Sequence, residues 1–169
     1  IGNYGVMYED FESSSVAVSA YIVREYCKTP SNFRCEGDID GFLKKHGIPG
    51  ICGIDTRALT RVLREHGTMN GMIADDLSHA DPEEIKAYRI VRPVDRVSRT
   101  EERIVNPDGK YSLALLDFGV KENIIRSLAL RDCMVHVLPF DTTAEKIMSM
   151  NVSGLFLTNG PGDPADNVE

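Results

Sequence analysis

The sequence lacks the features that mark membrane, secreted and nucleic-acid-binding proteins. No apolar stretch approaches the roughly 20 residues that a membrane-spanning helix needs. The first residues show no basic start followed by an apolar run, so we expect neither a membrane span nor a signal peptide. Lys and Arg are scattered and outnumbered, 19 against 26 Asp and Glu, and the net charge of −7 disfavours a nucleic-acid partner. An initial Met is also lacking, which indicates a fragment or a trimmed chain.

Metal-ligand and redox spacings are lacking as well. The four cysteines include no Cys-x-x-Cys pair and the four histidines show no metal spacing, so we expect no metal site and reduced thiols, as in a cytoplasmic protein. Cys52 lies in a Gly-Ile-Cys-Gly stretch ahead of a predicted helix, where a thiolate would be stabilised. The residues before it form a poor strand, so we interpret Cys52 as a small packed thiol rather than a nucleophile. Cys133 is expected to be buried at the start of a strand.

Hydrophobic residues make up 42% of the 169 residues, enough for a real core, and their patterning divides the chain into two unlike halves. In the first half, β-branched and apolar runs predict strands over residues 15–23 and 69–74. A cap at Asp38 or Asp40 and a stop at Gly47 predict a short helix over residues 38–46. Apolar residues spaced by three and four predict a stronger helix over residues 56–66, capped by Asp55 and ended by Gly67. A third helix is predicted to begin at Pro82, at its first position.

The region between the halves is predicted to be a linker. Residues 89 to about 110 are polar and contain two prolines. Residues 106–109, with the sequence NPDG, predict a turn, because proline presets φ and we expect Gly109 to adopt a positive φ.

The second half alternates between strand and helix signals. A continuous apolar run predicts a strand at residues 112–118 that is buried on both faces. Two further strands are predicted at residues 134–138 and 154–157, the last of them buried. Helical spacing predicts helices at residues 121–131 and 144–150, the second capped by Thr142 or Thr143. Strands that alternate with helices in this way form right-handed parallel crossovers. We therefore predict an α/β fold in which the second half begins a doubly wound parallel sheet.

A glycine-rich loop follows the last predicted strand. Residues 159–164, with the sequence NGPGDP, lie where open α/β sheets hold ligands, at the carboxyl end of a strand. Glycine lets a backbone amide approach a ligand, and such an amide can stabilise an oxyanion. Pro161, between the two glycines, reduces the freedom of the loop. The same composition also suits a simple tight turn, and this alternative stays open.

Several stretches together resemble a known family. The loop after the apolar strand resembles that of class I glutamine amidotransferases. Residues 117–124, with the sequence DFGVKENI, resemble the start of that domain in the small, glutamine-hydrolysing chains of carbamoyl phosphate synthetase. Three stretches of the first half resemble the amino-terminal domain of the same small-chain family: residues 1–5, residues 24–26 with 30–33, and residues 50–61. The resemblance covers nearly the whole chain in the right order.

The resemblance implies a domain organisation within an α/β fold. Residues 1–92 would form an amino-terminal mixed β/α domain, incomplete at its start, and residues 93–110 would form a linker. Residues 111–169 would be the first part of a doubly wound, parallel-sheet class I amidotransferase domain.

The resemblance also implies a chemistry. In this family a Cys-His-Glu set hydrolyses glutamine, and the ammonia passes to a large chain. The large chain uses ATP, Mg and bicarbonate to make carbamoyl phosphate for arginine and pyrimidine synthesis. The implied partners are therefore glutamine and the large chain of a cytoplasmic heterodimeric ligase. Gly160 and Gly162 match backbone positions that bind glutamine, and the Gly160 amide also matches an oxyanion-hole donor.

The same resemblance leaves the catalytic residues outside this sequence. The family nucleophile lies in a Gly-x-Cys-x-Gly-His-Gln elbow that would follow Glu169, and a glutamine-contacting serine would precede Ile1. A hydrolase needs its nucleophile and base in hydrogen-bond contact. We therefore expect no catalytic residue and no cofactor in this chain, and no hydrolysis of glutamine by it alone. Three parallel strands without their continuation also predict a bare sheet edge and self-association.

Two other functions stay open at the level of the sequence. The chain could be a non-catalytic docking module for a synthetase large chain. In that case Arg57, Arg61 and Arg64 could form a docking surface, although we favour a solvated helix face, because surface charge alone predicts little. The turn at residues 117–121 could instead belong to a small flavodoxin-like nucleotide binder.

Overall fold

The computed structural model describes residues 2–162 and divides the chain into two compact units, residues 1–88 and residues 89–169. In chain order the elements are β1 Tyr21–Ile22, α1 Ile39–Lys45, β2 Gly50–Ile51, α2 Thr56–His66, α3 Pro82–Ala87, β3 Arg103–Val105, β4 Tyr111–Asp117, α4 Glu122–Ala129, β5 Cys133–Pro139, α5 Ala144–Ser149 and β6 Gly154–Leu157. Short 3-10 turns lie at Tyr8–Asp10, Leu77–His79 and Val94–Arg96.

The helices of the first unit begin and end where local signals predict. The Asp38 side chain accepts a hydrogen bond from the Gly41 amide at the start of α1. Asp55 accepts from the amides of Arg57 and Ala58 at the start of α2. Pro82 occupies the first turn of α3. Each cap satisfies amides that have no partner inside the helix, which is why a single Asp fixes the boundary.

The strands of the first unit are much shorter than predicted. β1 and β2 pair in parallel over two residues each, Tyr21 with Gly50 and Ile22 with Ile51. The strand prediction for residues 15–20 is wrong, and so is that for residues 69–74, which form no strand. Strand propensity is a preference for a half-buried, paired surface. Val18 is 48% exposed and Met69 is 56% exposed, so these runs have no such surface among the described residues.

The second unit is built on a four-stranded sheet with the order β3-β5-β4-β6. β4 pairs in parallel with both β5 and β6, which confirms the parallel crossovers. β3 pairs antiparallel with β5 at the sheet edge and lies in the segment predicted to be a linker. An ion pair joins Arg103 Nη1 to Glu122 Oε1 at 3.0 Å, and a hydrogen bond joins His136 Nδ1 to Glu102 Oε1 at 2.9 Å.

The core of the second unit lies on both faces of β4 and β5. On one face, Leu115, Val135 and Val137 pack with Ile125 of α4. The opposite face carries a second cluster, made of Ala114, Leu116, Leu138 and, from α5, Ile147. Because helices cover both faces, the continuous apolar runs of the two strands are buried, as predicted for β4. The α/β fold class is therefore confirmed.

β6 departs from the prediction of a buried strand. Leu155 is 52% exposed, Phe156 36% and Leu157 61%. Among the described residues β6 has one neighbour, β4, so it forms an edge of the sheet. An apolar run thus predicted the strand correctly but not its burial, which depends on what lies beside it.

The turn at residues 106–109 forms, but a different residue takes the unusual conformation. The Gly109 amide donates to the Asn106 carbonyl oxygen at 3.0 Å, and Asn106 has φ of +52°. The prediction of a positive φ at Gly109 is wrong. Asn tolerates the left-handed region, and its side chain here donates to the Cys133 carbonyl oxygen at 3.2 Å. A β-carbon at Gly109 would lie 2.6 Å from the Cys133 carbonyl carbon, so glycine is needed there for space.

Candidate functional site

The glycine loop lies at the carboxyl edge of the parallel sheet. β4 ends at Asp117 and β6 ends at Leu157, and the two strands are parallel neighbours. The segments that follow them, residues 118–121 and 158–162, therefore leave the sheet at the same edge. This edge is where open α/β sheets bind their ligands.

Thr158 joins the start of the loop to the neighbouring turn. Its Oγ1 accepts a hydrogen bond from the Phe118 amide at 2.9 Å and donates to the Asn159 carbonyl oxygen at 3.0 Å. Its own amide donates to the Leu116 carbonyl oxygen at 3.4 Å. The loop thus begins with its backbone fixed to β4 and to the residue after it.

Both loop glycines are required by contacts within the chain. A β-carbon at Gly160 would lie 2.7 Å from the Phe118 carbonyl oxygen, closer than real β-carbons approach an oxygen. Gly162 has φ of +80°, and a β-carbon there would lie 2.9 Å from Pro93 Cγ. A ligand is therefore not needed to explain why these residues are glycine, although it remains compatible with them.

The amides of the loop are available for a ligand. Residues 159–162 are exposed, and within residues 2–162 neither the Gly160 nor the Gly162 amide donates an intramolecular hydrogen bond. Exposed, unpartnered N–H groups on a backbone held by neighbouring contacts are what anion recognition and oxyanion stabilisation need. Asp163 and Pro164, the end of the predicted motif, lie outside the described residues.

A buried carboxylate lies beneath this edge. Asp117 is 3% exposed. Its Oδ1 accepts hydrogen bonds from the amides of Gly119 at 2.9 Å and Val120 at 2.8 Å. Its Oδ2 accepts from the Arg99 amide at 3.1 Å. In the sequence, Asp117 stood out only as part of the family motif and of the turn at residues 117–121. The available signal was an Asp at the end of an apolar run, directly before Phe-Gly.

Arg99 supplies the countercharge to Asp117. Its Nε lies 3.3 Å from Asp117 Oδ2, but this buried Nε makes no hydrogen bond among the described residues. The Oγ of the neighbouring Ser98 accepts a hydrogen bond from the Phe140 amide at 3.3 Å. The segment before β3 therefore attaches to the carboxyl ends of both β4 and β5.

The cysteines and histidines do not assemble into a catalytic site among the described residues. Cys52 is exposed, so its interpretation as a packed thiol is wrong, whereas Cys133 is buried as predicted. Among residues 2–162 no hydrogen bond joins a cysteine to a histidine. Nor do three His, Cys, Asp or Glu side chains in that range form a group that could hold a metal ion.

Helix α2 carries the three arginines that the sequence analysis singled out. Arg57, Arg61 and Arg64 are exposed, which fits a solvated face and a docking surface equally well. The apolar side of α2 is also partly open, with Leu59 at 41% and Val62 at 39% exposure. In the part of the chain that the structure describes, no helix is both long and apolar enough to span a bilayer.

Comparison with known proteins gives two family matches and a set of relatives that align with nearly all of this chain. Residues 1–73 match the carbamoyl-phosphate synthase small chain, CPSase domain, and residues 114–169 match glutamine amidotransferase class-I. The chain is 44% identical to the carbamoyl phosphate synthase small chain of Clostridium perfringens over 171 aligned residues, which cover 100% of this chain and 49% of the relative.

Further relatives carry the same description. The chain is 45% identical to the carbamoyl phosphate synthase small chain of Listeria monocytogenes, with 100% of this chain and 47% of the relative covered. It is 44% identical to that of Archaeoglobus fulgidus, with 98% and 48% covered. The chain thus spans about half the length of the curated relatives it matches.

Proposed function

Because this chain belongs to the carbamoyl phosphate synthase small-chain family, we propose that it forms part of a glutamine-hydrolysing subunit and supplies two backbone amides to the glutamine site. The observation that carries the proposal is the Asn159–Gly162 loop at the carboxyl edge of the sheet. Its exposed amides at Gly160 and Gly162 have no partner within residues 2–162.

The Gly160 amide would act as an oxyanion donor. When a thiolate attacks the amide carbon of glutamine, negative charge develops on the carbonyl oxygen, and a fixed N–H group stabilises that charge without reorganising. The Gly160 backbone suits this role because Thr158 and Phe118 hold the residues around it. The Gly162 amide would bind glutamine beside it.

The nucleophile and its base are not among the residues described. Cys52, the exposed thiol of the first unit, has no hydrogen bond to a histidine within residues 2–162, so it lacks the base that would activate it. We therefore propose that the chain alone does not hydrolyse glutamine. The Cys-His-Glu set would come from the remaining half of the relatives' length.

The proposed assembly is a cytoplasmic heterodimer of this subunit with a synthetase large chain. The large chain would use ATP and Mg with the released ammonia to make carbamoyl phosphate, in service of arginine and pyrimidine synthesis. The chain itself would need no cofactor. This step is supported by the similarity to carbamoyl phosphate synthase small chains, which extends over the whole of this chain.

A glutaminase assay tests the proposal. Ammonia release from glutamine is measured for this chain and for the product of its complete reading frame, each with and without a synthetase large chain. We expect turnover only from the complete product. Turnover by the present chain that disappears in Cys52→Ser would contradict the assignment of the nucleophile.

The rival function is a docking module without catalysis. The partly open apolar side of α2 favours it, and the exposed arginines of that helix are compatible with it. It predicts that the complete product binds the large chain yet releases no ammonia, so the same assay separates the two.

A further inference from the structure

The buried carboxylate of Asp117 fixes the turn that follows β4. Its Oδ1 accepts the Gly119 and Val120 amides at 2.9 and 2.8 Å, and its Oδ2 accepts the Arg99 amide at 3.1 Å. A carboxylate that accepts three backbone N–H groups is held in one rotamer and holds those groups in turn. With 3% exposure, water cannot easily replace any of these partners.

The turn that Asp117 fixes is the surface on which the glycine loop rests. Phe118 donates its amide to Thr158 Oγ1 at 2.9 Å, immediately before the loop. The Phe118 carbonyl oxygen and Cβ would lie 2.7 and 3.0 Å from a β-carbon at Gly160. At Gly119, a β-carbon would lie 3.4 Å from Pro161 Cδ. Thr158, Gly160 and Pro161 of the loop thus lie close to the two residues that follow Asp117.

We propose that Asp117 is a positioning residue for the glutamine site, which sets the place of the Gly160 and Gly162 amides through the Phe118–Gly119 turn. The inference rests on the proposed function, because it gives the loop amides a substrate. Asp117 is too deeply buried to contact that substrate, so it acts only through the backbone that it holds.

The expected consequence is a loss of catalytic efficiency out of proportion to any loss of stability. Misplacing a reacting group by about 1 Å can cost on the order of 100-fold in rate. Asp117→Ala should therefore lower kcat/KM for glutamine by about tenfold or more in the complete enzyme. Asp117→Asn keeps an oxygen that can accept the Gly119 and Val120 amides but presents an NH2 group to the Arg99 amide, so it should recover only part of that loss.

A matched control separates positioning from general destabilisation. Thr143→Ala removes a side-chain cap in the same unit, where Oγ1 accepts a hydrogen bond from the Lys146 amide at 3.3 Å; within residues 2–162 no hydrogen bond joins Thr143 to the turn or the loop. It should weaken folding while leaving kcat/KM unchanged at temperatures where the protein stays folded.

The decisive readout is the amide NMR spectrum of this chain. In Asp117→Ala we expect the Gly160 and Gly162 amide signals to shift or broaden, whereas Asp117→Asn shifts them less and Thr143→Ala leaves them near their original positions. If Asp117→Ala does not fold, Thr158→Val provides the second variant. It removes the acceptor of the Phe118 amide at nearly constant volume, and it should shift the same two signals.

The outcomes distinguish this inference from the proposed function. Unchanged Gly160 and Gly162 signals in a folded Asp117→Ala or Thr158→Val chain would overturn the inference, whatever the complete protein does with glutamine. Shifted signals together with an active complete protein support both. Shifted signals with an inactive complete protein would keep Asp117 as the residue that positions the loop and reject glutamine as its substrate.

Discussion

Gly160 lies so close to Phe118 that a β-carbon at position 160 would lie 2.7 Å from the Phe118 carbonyl oxygen. The obstacle is backbone at the end of a central strand, which cannot rotate away as a side chain could. Any residue other than glycine would therefore displace the loop from β4. Because the Gly160 amide moves with that backbone, one contact couples the packing of the sheet edge to the position of a proposed oxyanion donor.

Gly162 should be sensitive to substitution for two separable reasons. Gly162→Ala would place a β-carbon 2.9 Å from Pro93 Cγ on a backbone with φ of +80°. The left-handed conformation alone costs a non-glycine residue about 1–2 kcal/mol. We expect Gly162→Ala to lower the free energy of unfolding by at least this amount in urea titrations of the chain.

The steric part of that cost should depend on Pro93. In a Pro93→Ala background the Cγ is gone, so Gly162→Ala should be less destabilising than in the parent chain. Gly71→Ala is the matched control, since a β-carbon at Gly71 would meet nothing within 4 Å. Equal costs of Gly162→Ala in both backgrounds would show that the contact with Pro93 does not form.

Helix α2 should depend on its cap. Asp55 accepts hydrogen bonds from the amides of Arg57 at 3.2 Å and Ala58 at 3.1 Å. Loss of such a cap typically costs about 1 kcal/mol. Asp55→Ala should lower the melting temperature of the chain in circular dichroism, whereas Asp55→Ser, which retains a capping oxygen, should recover most of the loss. An Asp55→Ser variant as unstable as Asp55→Ala would argue against the cap.

Acid should weaken helix α1 through Asp38. The Gly41 amide donates to its Oδ1 at 2.8 Å and lowers the pKa of the carboxyl. A pKa that is lower in the folded state stabilises the fold fully above the unfolded value, about 3.9 for Asp, and the contribution is lost as pH falls through the lower folded value. Helicity should therefore fall below about pH 4.

The comparison with Asp38→Asn isolates this effect from the other carboxylates. Asn caps helices without titrating, so the variant should lose less helicity than the parent between about pH 4 and pH 2, as followed by circular dichroism. Identical acid profiles for the two proteins would rule out a contribution from Asp38.

The edge strand β6 should drive self-association of this chain. Leu155 and Leu157 are 52% and 61% exposed on a strand whose single described neighbour is β4. Unpaired, apolar strand edges pair with other edges, and a lysine on the edge opposes this. We expect light scattering to show association that increases with concentration and that Leu157→Lys suppresses it.

A control for that prediction lies in the other unit. Leu77 is 86% exposed but belongs to a short 3-10 turn rather than to a sheet edge. Leu77→Lys should therefore leave association unchanged. A parent chain that is monomeric at all concentrations would contradict the edge argument outright.

The helices could be predicted closely from the sequence because their boundaries depend on residues a few positions apart. Asp38 and Asp55 cap within three residues, and Pro82 stands at the first position of α3. The buried strands β4 and β5 were equally clear, because an apolar run that is covered on both faces is itself a local signal. These elements account for most of the doubly wound half.

The failures have a common physical origin in contacts between distant residues. Whether residues 15–20 form a strand, and whether Leu155–Leu157 is buried, depends on which strand lies beside them. β3 escaped prediction because its polar surroundings resemble a linker and its pairing partner, β5, comes about 30 residues later.

In the candidate site, too, local features could be predicted from the sequence and long-range contacts could not. The glycine motif and its place after a strand were visible in the sequence, because both are local. Two contacts could not be predicted in this way, because each joins residues far apart in the sequence. Gly160 contacts Phe118, 42 residues before it, and Asp117 accepts a hydrogen bond from the Arg99 amide, 18 residues before it. The reason for the glycines therefore became apparent only with the fold.

The most direct test of the account is ammonia release from glutamine by the complete reading-frame product combined with a synthetase large chain, in three forms: parent, Gly160→Ala and Gly71→Ala. Loss of one oxyanion donor typically lowers the rate on the order of 100- to 1,000-fold. We expect a parent that releases ammonia, a Gly71→Ala variant that matches it, and a folded Gly160→Ala variant that is slower by about that factor. A parent that releases no ammonia, or a Gly160→Ala variant as fast as the parent, would show that the Gly160 amide is not an oxyanion donor for glutamine hydrolysis.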